Sequence, residues 1–352
     1  MRTLFRAGPG QHILTPMKAI AYYQCLPITH PEALLDVELP DPTPGPRDLL
    51  VDVHAVSVNP VDTKMRVRSA PPAGTAKILG WDAAGVVRAV GASVEAYRPG
   101  DQVWYAGAIG RPGSNAERQI VDERIVGRMP ASLDFARAAA LPLTAITAWE
   151  LLFERLGVAR EGGAGQSLLI VGAAGGVGSI LTQLAAKLTK LRVIGTASRP
   201  ETQAWLRSLG AHEVIDHTQP LVAELARLGI TGVDHVASLT HSDQHYTALI
   251  DALVPQGRLA MIDDPGPLDI TALKRKSLSL HWELMFTRSI FETPDMIEQR
   301  RLLDEVAGLI DRGVIATTVT EHYGVINAAN LRRAHALIES GKARGKIVLE
   351  GF

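Results

Sequence analysis

Four glycines fall within eight residues at Gly172-Ala-Ala-Gly175-Gly176-Val177-Gly178-Ser179. The apolar run SLLIVG (167–172) leads into them and the amphipathic stretch GVGSILTQLAAKL (176–188) leads out. A glycine turn between a strand and a helix leaves the N–H groups of the helix N-terminus clear of side chains. The pyrophosphate of a dinucleotide needs that arrangement. On this reading a side chain at Gly178 would stand between the helix and the pyrophosphate. The spacing is G-x-x-G-x-x-G and not the more familiar G-x-G-x-x-G. A bare glycine turn is also compatible with a purely structural bend, so the surrounding elements must decide.

They favour the cofactor. After the helix at 176–188 come a strand at 191–198 (LRVIGTAS), a helix at 200–210 and further strand–helix alternation to Asp263. Such alternation predicts an α/β unit with a doubly wound parallel sheet covered on both faces. Where a dinucleotide binds such a unit, the end of the second strand meets the adenosine ribose. An Asp or Glu there accepts from a free 2'-hydroxyl. Here that position reads Thr196-Ala197-Ser198-Arg199, a hydroxyl and a guanidinium without a carboxylate. Both donate well to a 2'-phosphate, so NADP(H) is expected over NAD(H). The plainer reading leaves Arg199 solvated in front of Pro200.

The rest of the chain must hold this unit and supply something to react. At 352 residues it is comfortable for two domains, each able to bury its own core. Hydrophobic residues make up 46%, charged residues 21%, and the net charge is -1. Without a basic stripe, an acidic tail or a long apolar span, neither nucleic acid nor membrane is expected as a partner. The N-terminus has no apolar signal core, and a single cysteine, Cys25, suits a reducing cytoplasm. That lone thiol can form neither an internal disulfide nor a multi-cysteine metal site. Residues 1–16 are broken by Gly and Pro and read as a flexible extension. From Met17 to about Met129 short strands joined by Gly and Pro predict a β-barrel-like unit. Residues 131–157 (ASLDFARAAALPLTAITAWELLFERLG) read as helical, with Ser132 or Asp134 as N-cap. Long helices at 295–313 and 327–340 and a strand KIVLEG follow.

Taken together, SVNPVDTKMR (57–66), GWDAAGVV (80–87), RPGDQVW (98–104), LPLTAITAWE (141–150), GAAGGVGS (172–179), LGAHEVIDH (209–217) and GKIVLEG (345–351) resemble, in this order, the medium-chain dehydrogenase/reductase superfamily. The nearest likeness is to the quinone oxidoreductase-like branch, often labelled zinc-type alcohol dehydrogenase-like. The resemblance implies a GroES-like substrate domain over 17–143 and a Rossmann NADP(H)-binding domain over 144–284. A segment at 285–352 would complete the Rossmann sheet edge and pack on the substrate domain. It also implies an active site in the cleft between the domains and a homodimer. Zinc-containing relatives carry Cys where this chain has Asn59, and Gly-His-Glu where it has Gly80-Trp81-Asp82. They also insert a four-cysteine lobe that is absent here, so zinc is not expected.

By the same resemblance, Asn59 and Thr144 lie near the nicotinamide, and Gly175, Gly176, Val177 and Gly178 form the pyrophosphate loop. Ser198, Arg199 and His217 fall where relatives hold the adenosine phosphate. Leu239, Thr240, His241, Ile262 and Asp263 edge the cofactor from later strand ends, and Phe286 flanks the nicotinamide pocket. Each has a plainer reading: Asn59 as a turn before Pro60, His217 and His241 as loop residues, Phe286 as core. Zinc-free reduction by NADPH suits quinones and α,β-unsaturated carbonyls, whose conjugation spreads the developing charge. Some relatives place a tyrosine shortly after the Asn-Pro pair; here Lys64 is the candidate proton donor, with solvent the alternative. An alcohol dehydrogenase with an atypical His/carboxylate metal site and a non-enzymatic NADPH-binding protein are the rival readings.

Overall fold

The computed structural model describes residues 16–352. Of the segment read as an extension, residues 1–15 lie outside the described residues and Pro16 opens the first strand.

The first unit runs through β1 (Pro16–Tyr22), β2 (Leu35–Pro40), β3 (Asp48–Val58), α1 (Pro60–Arg68), β4 (Lys77–Ile78), β5 (Ala83–Val90), β6 (Gln102–Tyr105), β7 (Arg118–Asp122) and β8 (Val126–Arg128). Helix α1 interrupts the expected run of strands. Pro60 at its first position needs no N–H partner and pre-sets the backbone, while Asp62 accepts from the N–H of Asn59. Around β3 the sheet closes into a barrel-like shape filled by Tyr22, Trp81, Trp104 and Tyr105. Gly80, at φ +105, makes the sharp entry to β5. A Cβ there would come within 2.6 Å of Ser114 Oγ, so only glycine fits.

The stretch read as one helix divides at Pro142. The first piece, α2 (Phe135–Ala139), is capped by Asp134, which accepts from the N–H of Arg137 at 2.7 Å. The second, α3 (Pro142–Trp149), continues into a π-helical turn at Glu150–Arg155.

The second unit alternates as expected: β9 (Ser167–Val171), α4 (Gly176–Leu188), β10 (Arg192–Thr196), α5 (Pro200–Ser208), β11 (Glu213–Ile215), α6 (Leu221–Arg227), β12 (Val233–Ser238), α7 (Ser242–Ala252), β13 (Leu253–Met261) and β14 (Ser279–Trp282). Its six strands are parallel in the order β11-β10-β9-β12-β13-β14. The chain reverses direction across the sheet between β9 and β12, which opens a crevice at their C-terminal ends. All of β9 is buried. Leu168, Leu169, Ile170 and Val171 each contribute about 1.5–3 kcal/mol by leaving water.

The remainder forms α8 (Thr287–Phe291), α9 (Ile297–Asp311), β15 (Val319–His322), α10 (Ala328–Glu339) and β16 (Lys346–Glu350). It does not complete the edge of the parallel sheet, which is β14. Instead β16 pairs antiparallel with β3, and β15 pairs with β16, so the segment extends the barrel sheet. The physical reason is the apolar run Ile347–Leu349, fully buried once it lies on Val56 and Val58. Helix α9 buries Leu302, Leu303, Val306, Leu309 and Ile310 on one face. It lies so close to β8 that a Cβ on Gly127 would come within 2.6 Å of Leu303.

A buried ionic cluster ties the π-helical turn to this last segment. Arg288 donates to Glu150, to Glu154 at 3.1 Å and to Asp295 at 3.1 Å, while Arg155 holds Glu283 at 2.8 Å. Burial first, then the neighbouring Glu283 charge, pushes the Glu150 carboxyl well above the usual range. Glu283 Oε1 has no other partner, so a proton on Glu150 can bridge the two acids. A carboxyl raised in the fold contributes stability at low pH that is lost as pH rises through its folded pKa. Glu150→Gln, which keeps the bridging donor, should flatten that decline. Denaturant titrations at about pH 5.5 and 8.5 should show a larger loss of stability in the wild type than in the variant.

Candidate active site

The glycine turn lies in the crevice of the parallel sheet, with Gly175 as the residue before α4. No side chain caps this helix, so its first-turn N–H groups are open to an anionic ligand. The glycines divide the work differently from the sequence reading. A Cβ at Gly178 would meet the Ala173 backbone at 2.4–2.5 Å, so this glycine lets the helix pack on the turn. A Cβ at Gly175 would find only Gly172 O at 3.5 Å, and it is here that a side chain would fill the cradle. At Gly176 it would meet Lys346 Cδ at 2.9 Å and Thr144 Cγ2 at 3.0 Å. Val177 is half-buried between them.

Those two neighbours lead to a buried, densely hydrogen-bonded cluster beside the glycine turn. Asp82, fully buried, accepts at Oδ2 from Ser57 Oγ, Asn59 Nδ2 and Lys346 Nζ, each at 2.8 Å. Its Oδ1 accepts from the N–H of Leu143 at 2.8 Å, which anchors the start of α3 and hence Thr144. Lys346 Nζ also donates to Asn59 Oδ1. Asn59 therefore commits its side chain to this network. Beside it, burial outweighs nearby hydrogen bonds and pushes Asp62 up to about 7, and its Oδ1 has no partner. Removing one member of a buried ion pair typically costs about 3–5 kcal/mol, so Lys346 and Asp82 need each other.

Of the residues expected at the adenosine phosphate, Ser198 and Arg199 are half-exposed past β10. Arg199 reaches the carbonyl of Lys342 at 3.3 Å and Glu201 at 3.4 Å. His217, His241 and His245 gather nearby, and burial followed by the other two imidazoles holds His245 below the ordinary histidine range. Leu239 and Thr240 border the glycine turn, Thr240 Cγ2 lying 2.8 Å from where a Gly172 Cβ would be. Ile262 is half-buried at the end of β13, its N–H donating to Ser238 O at 3.3 Å. Asp263 is occupied elsewhere: it accepts from Ser242 N at 2.9 Å and Ser242 Oγ at 2.5 Å, capping α7. Phe286 is buried edge-on against Trp81, ring centres 6.2 Å apart. Lys64 is paired with Asp264 at 2.9 Å across the cleft, and Arg68 joins the same carboxylate at 3.2 Å.

Comparison with known proteins agrees with this architecture. The alcohol dehydrogenase GroES-like domain profile matches residues 45–131, and the zinc-binding dehydrogenase profile matches residues 209–349. A zinc-type alcohol dehydrogenase-like protein of Staphylococcus aureus is 40% identical over 317 residues, covering 88% of this chain and 92% of that protein. The chain belongs to the medium-chain dehydrogenase/reductase superfamily. Within it the chain falls in the quinone oxidoreductase-like branch: a quinone oxidoreductase of Pseudomonas aeruginosa is 32% identical over 91% of the chain and 96% of its own length. Among solved structures, a Rhizobium etli protein classed provisionally as a zinc-dependent alcohol dehydrogenase shares 56% identity at a TM-score of 0.92, over 96% of this chain and 99% of that one. The Escherichia coli quinone oxidoreductase complexed with NADPH superposes at 0.80 with 25% identity, over 95% and 99%.

Zinc recurs in the names of these superfamily members, but the residues at the corresponding place here do not fit it. Asn59 Oδ1 and Asp82 Oδ2 both face the Lys346 ammonium, and the Trp81 indole donates to Ala108 O at 3.3 Å. Among the described residues no three of His, Cys, Asp or Glu are grouped to hold a metal ion.

Sequence reasoning missed Lys346, Ser57, Asp82 as a hub, and His245. The first carried a signal: a lysine opening an otherwise apolar strand. A side chain added at the two loop glycines separates their roles. Gly175→Val should fold with the thermal stability of the wild type and lose dinucleotide affinity by about tenfold or more, as read by titration of NADPH fluorescence. Gly178→Val should instead lower the melting temperature, because its Cβ collides with backbone.

Proposed function

We propose that the chain is a zinc-independent, NADPH-dependent reductase acting on quinones or α,β-unsaturated carbonyls. The observation that carries this reading is the cation at the core of the cleft, a lysine ammonium among amide and carboxylate groups instead of a metal ligand set. A site with amide and ammonium donors can steady a partial negative charge on an oxygen, which suffices where conjugation already spreads that charge. When bound, NADPH supplies the reducing hydride. The open N-terminus of α4 would receive its pyrophosphate, and Thr144, with Asn59 behind it, would border the nicotinamide end. Ser198, Arg199 and His217 would hold the 2'-phosphate. Protonation of the reduced acceptor falls to solvent or to Lys64, whose ammonium is tethered by Asp264. The NADPH-bound Escherichia coli quinone oxidoreductase supports the cofactor assignment.

A homodimer is part of the same reading. Among the described residues strand β14 is an open sheet edge, and Trp282, Leu284, Ile290 and Phe291, at its end and on the helix that follows, expose large apolar surfaces. Among the described residues no helix is long and apolar enough to cross a membrane.

Two measurements test the proposal. NADPH oxidation with 1,4-benzoquinone and 2-cyclohexen-1-one should proceed undiminished in a chelator, with no stoichiometric zinc in elemental analysis. Tight, activity-linked metal would favour the alcohol dehydrogenase alternative; NADPH binding without turnover would favour a non-enzymatic role. Arg199→Ala should weaken NADPH binding by roughly ten- to a hundredfold, since a charge-assisted hydrogen bond contributes about 1.5–3 kcal/mol, and should leave NADH nearly unchanged. Equal losses for both cofactors would remove the 2'-phosphate from this strand end.

A further inference from the structure

Lys346 is 3% exposed, and its ammonium meets two partners that enter the cleft from other parts of the barrel. Asp82 takes one proton at 2.8 Å and Asn59 Oδ1 takes another, across 287 residues of chain. The stem of the lysine passes beneath the glycine turn, since a Cβ on Gly176 would lie 2.9 Å from Lys346 Cδ. The carboxamide of Asn59 is thereby set in one orientation: its oxygen faces a positive charge and one N–H faces a negative one. The second Nδ2 proton has no protein acceptor among the described residues.

We propose that the Lys346 ammonium is a tethered cation standing in the place of a metal ion, and that through Asn59 it presents a fixed N–H donor to the oxygen of the acceptor. The proposal rests on the reductase reading above. Asn59 is the group that would touch the acceptor; Lys346 is a positioning residue acting through it. A metal ion pulls directly on an oxygen. Here the charge is one amide away, so it acts by polarising and orienting a donor that needs no rearrangement as the acceptor gains charge. An arginine could not substitute, because its planar fork demands more width than a lysine stem and a different donor geometry.

The test has two arms, the first independent of any cofactor or acceptor. Lys346→Ala leaves a buried carboxylate without its cation and should melt about 10 °C below the wild type. The space vacated matches n-propylammonium, which should recover part of that loss with a saturable dose dependence. Sodium chloride at equal ionic strength and 1-propanol should not. A variant as stable as the wild type, or equal rescue by 1-propanol, would overturn the tethered cation. The second arm uses Asp82→Asn/Lys346→Met, which removes both charges and so protects the fold if the single variants fail. Its kcat for NADPH oxidation with 1,4-benzoquinone should fall about a hundredfold while the NADPH dissociation constant stays within about threefold. Adding Asn59→Ala to it should lower kcat by no more than about threefold, because the same donor is already lost. Wild-type kcat in the charge-free variant, or losses that multiply, would overturn the positioning role. A wild type inert toward both acceptors would sink the reductase reading and the Asn59 half of this one, while the melting experiment would still decide the cation.

Discussion

The structure depends on the carboxylate of Asp82. Four donors converge on it: Ser57 and Asn59 at the end of β3, the N–H of Leu143 at the start of α3, and Lys346 at the start of β16. The barrel, the helix that leads to the nucleotide unit and the returning strand therefore share one anion. A carboxylate with that many buried donors is costly to disturb, since each would be left unsatisfied in a medium that solvates poorly. The cleft is consequently rigid at its base. Mobility is expected instead where solvent-exposed side chains such as Lys64 and Arg68 pair directly with Asp264, because water screens those contacts.

Much of this was legible because local chemistry speaks for itself. The alternation of strands and helices from Ser167 onward needs no distant partner to be recognised, and helix α4 falls at the residues read for it. Asp134 announces itself as a cap and Pro142 as a break, although the break was passed over in an alanine-rich run. The resemblance implied that the last segment packs on the substrate domain, but not that β16 pairs with β3, because an apolar strand carries no label for the sheet it joins. For the same reason Lys346 read as part of a strand motif. Its meaning comes only from Asn59 and Asp82, far away in sequence. The packing demand on Gly178 was not legible, because close packing and ligand approach ask the same of a residue, and the collision with the Ala173 backbone appears only in the geometry.

Asn59 and Trp81 bear on the zinc-independent chemistry proposed above. At the positions where the resemblance implies Cys and His in zinc-containing relatives, this chain offers an amide bonded to Asp82 and Lys346 and an indole packed on Phe286. Neither change is conservative alone. Together with a lysine that neutralises Asp82, they leave a buried cluster in which, among the described residues, the Asp82 carboxylate is fully paired while Asp62 Oδ1 and one Asn59 N–H are not. The shape of the cleft survives because it is set by sheet topology, while the reactivity of its floor depends on a handful of side chains.

The return of β16 to β3 also bears on how the molecule comes into being. The barrel is interrupted by an entire parallel-sheet unit, so its own sheet lacks a central neighbour until the chain beyond that unit has been made. During synthesis the nucleotide unit, whose contacts are mostly between successive elements, can condense while the barrel waits with one side of β3 uncovered. Val56 and Val58 are then open to whatever strand arrives first. Completion of the barrel therefore waits on residues made after the inserted unit, even though most of its strands are made before it.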